Sequence, residues 1–244
     1  AQLLARLQGP DPSVRGEAAR DLGKMGEAAA TPEVLGALIQ RLREDEDGWV
    51  REAAAWALGW MGAAAATPEV LQALTERLRE DENKWVRREA AKALGWMGAA
   101  AATPEVLRAL LERLRKDEDM WVRYEAAWAL GKMGAAAARP EVLEALTERL
   151  REDTAGYVRQ ATAGALGEMG AAAATPEVIE ALVQALRDRV FDVRQKAAEA
   201  LRQLFQAHPE ALRDFLCTLT VPMTPRKTQT LKDVLRAHPG AVPA

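Results

Sequence analysis

The stretch Asp45 to Gly62, DEDGWVREAAAWALGWMG, decides the fold because it recurs. Its Val50-Arg51 pair has counterparts at Val14-Arg15, Val86-Arg87, Val122-Arg123, Val158-Arg159 and Val193-Arg194, at spacings of 36, 36, 36, 36 and 35 residues. Its ending, ALGxMG, closes at Gly62, Gly98, Gly134 and Gly170, with the variant DLGKMG closing at Gly26. A third marker, TPEV, opens at Thr31, Thr67, Thr103 and Thr175, and reads RPEV at Arg139. A fixed period of this length marks an array of small units that bury their apolar faces against one another.

Each unit reads as two helices. Thr31 is suited to an N-cap, Pro32 to the first helical position and Glu33 to the positive end of the helix dipole. The first helix then runs to about Arg43 and buries Val34, Leu35, Leu38 and Leu42. The acidic turn EDED follows, and Asp47 caps a second helix with Val50, Ala54, Leu58 and Met61 on one face. Gly62 ends that helix as a C′ glycine. The first unit starts in mid-helix at AQLLARL, and the last full unit ends near Phe205. Residues 207–244, with a second Thr-Pro signal at Thr224-Pro225, are expected to form a degenerate helix pair that covers the end of an array spanning residues 1–206.

The repeated unit resembles the HEAT repeat, in the short form found in phycobilisome lyases. It is also similar to artificial consensus HEAT-like proteins and to arrays in bacterial NACHT-type receptors. The resemblance covers residues 1 to about 206 and implies an all-α, right-handed α-solenoid of helix pairs. First helices would lie outside and second helices would line the concave surface. The resemblance further implies a ladder in which an Arg of each second helix pairs with a turn Asp, often of the next repeat. Arg15, Arg51, Arg87, Arg123, Arg159 and Arg194 match the Arg. Asp47 and Asp119 match the Asp, whereas Asn83 and Ala155 depart from it, so a weaker ladder is expected there.

Composition sets the broad class. Apolar residues make up 49% of the 244, charged residues 28% and aromatic residues 5%, with Ala and Leu dominant, which favours helix. The 33 basic and 36 acidic residues give a net charge of -3, against a general nucleic-acid binder. Cys217 is the one cysteine, so no disulfide forms within the chain, and a reducing, cytoplasmic setting is expected. No run of 18 apolar residues is present to span a membrane. No secretory signal pattern opens the chain, and its first residue is Ala1 rather than Met, as expected of an excised piece.

The tryptophans pose the functional question. With about 100° per residue, and Trp49 set at zero, Trp56 falls near -20° and Trp60 near +20°. Val50, Ala54, Leu58 and Met61 fall between about 100° and 180°. The rings thus share a stripe away from the core face. Trp85, Trp121 and Tyr157 are the counterparts of Trp49, Trp128 of Trp56, and Trp96 of Trp60, while Tyr124 flanks the stripe. The Leu58 position is Leu in all six repeats. The Trp56 position instead reads Arg20, Trp56, Lys92, Trp128, Gly164 and Glu199, and the Trp60 position reads Lys24, Trp60, Trp96, Lys132, Glu168 and Gln203. A core position must fit the same hole each time, and these do not. Trp49, Trp85 and Trp121, at the helix starts, are equally compatible with folding over the preceding turn.

Grouped exposed aromatics mark interaction sites. The expected function is a non-catalytic, monomeric scaffold that binds a protein or peptide through Trp49, Trp56, Trp60, Trp85, Arg88, Lys92, Trp96, Trp121, Tyr124, Trp128, Lys132 and Tyr157. The basic members would orient an acidic or carbonyl-rich ligand. No cofactor or metal is expected: His208 and His238 stand alone before prolines, no zinc spacing occurs, and the His-Glu pairs of HEAT-like iron hydroxylases are absent. The alternative is a pigment- or nucleobase-handling protein of the phycobilin lyase or alkylpurine DNA glycosylase type. Against the latter, Glu52, Glu125 and Glu168 share the stripe with Arg20, Lys24, Arg88, Lys92 and Lys132.

Overall fold

The computed structural model describes residues 2–210, so the terminal helix pair expected over 207–244 lies, from residue 211 on, outside the described residues. The regular elements among the described residues are helices. They fall into two compact units that divide after Met133, and the described residues of each form repeated helix pairs packed as an α-solenoid.

In the first unit α1 (Gln2–Leu7), α3 (Pro32–Glu44), α5 (Pro68–Glu80) and α7 (Pro104–Lys116) are the first helices. Their partners are α2 (Pro12–Lys24), α4 (Gly48–Trp60), α6 (Lys84–Trp96) and α8 (Met120–Lys132). In the second unit α9 (Pro140–Glu152) pairs with α10 (Gly156–Glu168), and α11 (Pro176–Ala185) with α12 (Phe191–Ala207). The spacing of 35 has a structural place: α11 has 10 residues where the four preceding first helices have 13.

The caps follow the sequence signals. Thr31, Thr67, Thr103 and Thr175 each accept a hydrogen bond from the valine amide three residues on, at 3.3–3.4 Å. Asp47 and Asp119 cap the second helices through Trp49 and Trp121, and Asn83 does the same through Trp85. Arg139 and Ala155 occupy cap positions without a capping side chain. Gly26, Gly62, Gly98, Gly134 and Gly170 stand at φ of 59–61°, a conformation costly for any side chain with a β-carbon. They turn α2, α4, α6, α8 and α10 into a 3₁₀ turn that leads to the next Thr-Pro start, or to Arg139-Pro140 after Gly134.

Val50, Ala54, Leu58 and Met61 are fully buried, as are Leu38 and Leu42 of the facing helix. Second helices approach one another more closely than first helices do. Small residues make this possible. A β-carbon on Gly59 would stand 2.7 Å from the Ala93 Cα, and one on Gly95 would stand 2.9 Å from the Ala129 Cα.

The arginine ladder is present, but its acidic partners differ from those expected. Arg15, Arg51 and Arg87 make bidentate pairs with Asp45, Asp81 and Asp117, and Arg159 with Asp188, at 2.7–3.0 Å. These aspartates sit two residues before the cap position, so Asn83 does not weaken the Arg51–Asp81 pair. The reason is reach: Asp47 and Asp119 already spend an oxygen on their own helix start. Asp45, Asp81, Asp117 and Asp188 each face the preceding repeat's arginine and also accept the amide of their own cap residue. Each arginine's remaining nitrogen closes its own turn, as Arg51 does on the Asp45 and Glu46 carbonyls at 2.9 and 3.1 Å.

The ladder is sensitive to acid in a defined direction. Arg159's hydrogen bond holds the Asp188 carboxyl below the usual carboxylate range, against the opposing effect of burial. For Asp45 burial is the largest single effect and raises it, but Arg15, the Asp47 amide and Arg41 together bring it below that range. A lowered folded value means stability that is full at neutral pH and lost as pH falls through it. Asp81→Ala strands Arg51 as a buried charge and should cost about 3–5 kcal/mol in denaturant melts. Ala155→Asp supplies the missing cap, whose backbone (φ -84°, ψ 120°) already has the right shape, and should add about 0.5–2 kcal/mol in the same assay.

Candidate functional site

Close packing of α2, α4, α6 and α8 leaves no room for large side chains between them, so the rings are displaced to the rim. There they divide into two kinds. Trp60, Trp85 and Trp49 are 53%, 49% and 38% exposed, whereas Trp56, Trp96, Trp121, Trp128 and Tyr124 are half-buried. The sequence expectation of a stripe wholly turned from the packed face needs this correction. Its physical reason is a row of glycines on the preceding second helix. Trp56 lies against Gly23, Trp96 against Gly59 and Trp128 against Gly95, where a β-carbon would meet the rings at 2.6–2.7 Å. Trp49 covers Gly16 in the same manner, so it leans on the preceding helix rather than on the preceding turn.

The rings form a connected surface across α4 and α6. The Trp56 and Trp60 ring centroids are 5.2 Å apart, and those of Trp60 and Trp96 are 5.7 Å apart and edge-on. Trp121 and Tyr124 meet edge-on at 5.8 Å on α8. Cations are interleaved with them. Arg20 sits 5.8 Å from the Trp56 centroid and 5.9 Å from that of Trp49, and Arg88 lies between Trp85 and Trp121 at 5.7 and 5.6 Å. Lys92 is 4.6 Å from Trp96, Lys132 5.6 Å from Trp128, and Lys84 5.4 Å from Trp85. Such contacts hold the rings flat and in place. Tyr157 lies on α10 in the second unit, 53% exposed.

Carboxylates complete the surface. Arg20 faces Glu52 at 3.7 Å, and Arg88 donates to Glu125 at 3.3 Å. Glu89, on α6 between them, is 8% exposed, and its Oε1 accepts no hydrogen bond. The Lys92 ammonium is 3.8 Å from that oxygen, close enough for attraction but too far for a hydrogen bond. Burial raises the Glu89 carboxyl above the usual range; Lys92 and Arg88 oppose this, and the Glu52 and Glu125 charges add to it. Burial raises Glu125 as well, against Arg88 and Lys92. Glu89 is missing from the residues expected to form the site, as are Arg20 and Lys84. Its position reads Glu17, Ala53, Glu89, Glu125, Ala161 and Lys196, charged in four of the six repeats, so the sequence does not single Glu89 out.

Comparison with known proteins agrees with this architecture. HEAT repeats match the chain over residues 1–95, 37–117, 71–167 and 143–241. The chain belongs to the HEAT repeat family. No curated protein matches it. Among solved structures, an engineered protein from the Northeast Structural Genomics Consortium superposes with a TM-score of 0.64 at 23% identity, covering 84% of this chain and 96% of that one. The designed armadillo repeat protein YIII(Dq)4CqI gives 0.60 at 19% identity, covering 83% and 98%. The complex of CpcE and CpcF of phycocyanin lyase from Nostoc sp. PCC7120 gives 0.56 at 22% identity, covering 96% and 93%. These are likenesses of fold. Among the described residues of this HEAT repeat chain, no helix is long and apolar enough to cross a membrane, and no group of three or more His, Cys, Asp or Glu is placed to hold a metal.

Glu89 gives the site a measurable cost. Because the folded protein holds its proton more tightly than the unfolded chain does, the charge opposes folding at all pH values above the raised folded value. The penalty fades as pH falls and is gone below the ordinary carboxylate range. Glu89→Gln should therefore raise stability at pH 7 by about 1 kcal/mol, the scale of one poorly satisfied buried group. The gain should shrink as the melts are repeated toward pH 4, the ordinary carboxylate range. A loss of stability at pH 7 would mean that attraction to Lys92 outweighs burial.

Proposed function

We propose that the chain is a non-catalytic scaffold that recognises a protein or peptide along the face of its second helices, with Trp60 and Trp96 at the centre. The observation that carries this reading is the unbroken run from Trp56 through Trp60 to Trp96, which includes a tryptophan 53% exposed. Exposing so much of a tryptophan gains nothing for the fold and much for a partner, since rigid rings offer contact area at little entropic cost. The closer approach of second helices supports placing this surface on the inner, concave side of the repeats. With helices about 8–10 Å apart, the rings of α4, α6 and α8 span the width of an extended peptide or a helix rather than that of a small metabolite. Arg88 and Lys132 stand beside the rings as donors for a partner's carbonyl or acidic groups. Trp49, Trp85, Trp121, Tyr124 and Trp128 extend the surface, and Tyr157 supplies a separate aromatic contact on the second unit.

The test is selection of binders from a displayed library of random short peptides on the intact chain, followed by calorimetric titration of the selected peptides. Trp60→Ala and Trp96→Ala should each weaken binding by roughly thirtyfold or more, the loss expected of a central hot spot. Gln72→Ala and Arg108→Ala, exposed on the first helices α5 and α7, should change it little. Binding that survives the tryptophan changes and is lost with the first-helix changes would place the partner on the opposite face.

A further inference from the structure

The centre of this surface carries a cation of the chain's own. Lys92 extends over Trp96, with its ammonium 4.6 Å from the ring centroid and 3.8 Å from Glu89 Oε1. That oxygen is buried and accepts no hydrogen bond. Trp60 stands edge-on to Trp96 beside them, more than half exposed. A ring face and a desolvated carboxylate are the two elements that hold an ammonium group away from water. Lys92 supplies the ammonium, but it stands over Trp96 and stops short of hydrogen-bond distance from Glu89. The site is thus filled by an imperfect occupant.

On the reading that this face binds a peptide, we infer that Glu89, Trp96 and Trp60 form a pocket for a basic side chain of the partner, and that Lys92 is the internal stand-in which that side chain displaces. Three observations favour a cation over an anion here. Glu89 and Glu125 are the two buried carboxylates of the aromatic run, and of the two Glu89 is the one with a buried oxygen that accepts no hydrogen bond; Glu52 on α4 and Glu125 on α8 lie to either side of it. Arg88, the other cation that acts on Glu89, is already turned toward Glu125, and Arg20 toward Glu52. The Lys92 side chain is 28% exposed, so it has a path by which its ammonium can swing into water and leave the carboxylate and the ring uncovered. An incoming lysine on a separate chain can then approach the oxygen that Lys92 leaves without a hydrogen bond.

This also accounts for a carboxylate that opposes folding. A group kept at a cost to stability is what a binding site requires and a structural residue does not.

The experiment uses peptides selected from the displayed library on the intact chain. They are expected to share a lysine or arginine, and replacing it by norleucine should weaken binding about tenfold or more. Glu89→Gln should cause a similar loss while the melting temperature of the free protein rises or holds. The two changes combined should lose little more than either alone, since both remove one interaction. Lys92→Met keeps the apolar stem over Trp96 and removes the competing charge, so it should tighten binding roughly fivefold or more. Peptides that require Trp60 but carry no basic residue, or that ignore Glu89→Gln, overturn the pocket and leave the scaffold reading intact. Unchanged or weakened binding by Lys92→Met overturns the displacement. Peptides indifferent to Trp60→Ala, or a library from which nothing is enriched, overturn both readings.

Discussion

The second helices stand backbone against backbone, and the surface of the first unit depends on this. Gly59 and Gly95 admit the alanines of the next helix so closely that a single methyl group would collide with a main-chain carbon. With only glycine and alanine between neighbouring helices, nothing large can be housed there. Leucine, valine and methionine fill the space toward the first helices, and the rings are left to the rim. The same glycines then serve twice. Their bare backbones form flat seats for Trp96 and Trp128, as Gly23 does for Trp56, so each ring is packed on one side and partly exposed on the other.

Register along the stack is specified by charge as well as by shape. Uniform alanine surfaces would slide past one another at little cost. The bidentate Arg–Asp pairs prevent this, because a fork of two nitrogens meeting two oxygens tolerates little misalignment. Each pair links one repeat to the next, while the arginine's other nitrogen closes the turn of its own repeat. Buried pairs of this kind add less to stability than their geometry suggests, since both charges leave water. Their contribution here is to specify which turn of one repeat faces which helix of the next.

Against this regular frame the aromatic rim is irregular and costly. Rings, cations and carboxylates alternate from helix to helix, and almost every charge has an opposite charge near it. Glu89 is the point where this balance is incomplete, with a buried oxygen that its lysine approaches but does not reach. A frame that tolerates variation at the rim while keeping Leu at every equivalent of Leu58 separates holding the fold from presenting a surface. That separation allows one repeat to carry Trp56 and the next Lys92 without any change in the helices beneath.

Much of this was determined by the sequence alone, because a repeat states its own rules several times. Thr31, Pro32, Asp47 and Gly62 mark where helices begin and end through local chemistry, and the 36-residue period follows from counting. The separation of Leu58 from Trp60 follows from helical geometry, which is also local. The tertiary structure decided what depends on the next repeat. Asp45 and Asp47 look alike as residues of an acidic turn; only the position of the preceding helix shows that the first meets Arg15 and the second caps its own helix. Half-burial of Trp56 and Trp96 rests on glycines more than thirty residues earlier in the chain. Glu89 reads as one more charge on a solvated face, and its burial exists only once α4 and α8 close on either side of it. Local signals fix helices because their hydrogen bonds and caps lie within a few residues, whereas burial and ion pairing are properties of surfaces that meet only after the chain has folded.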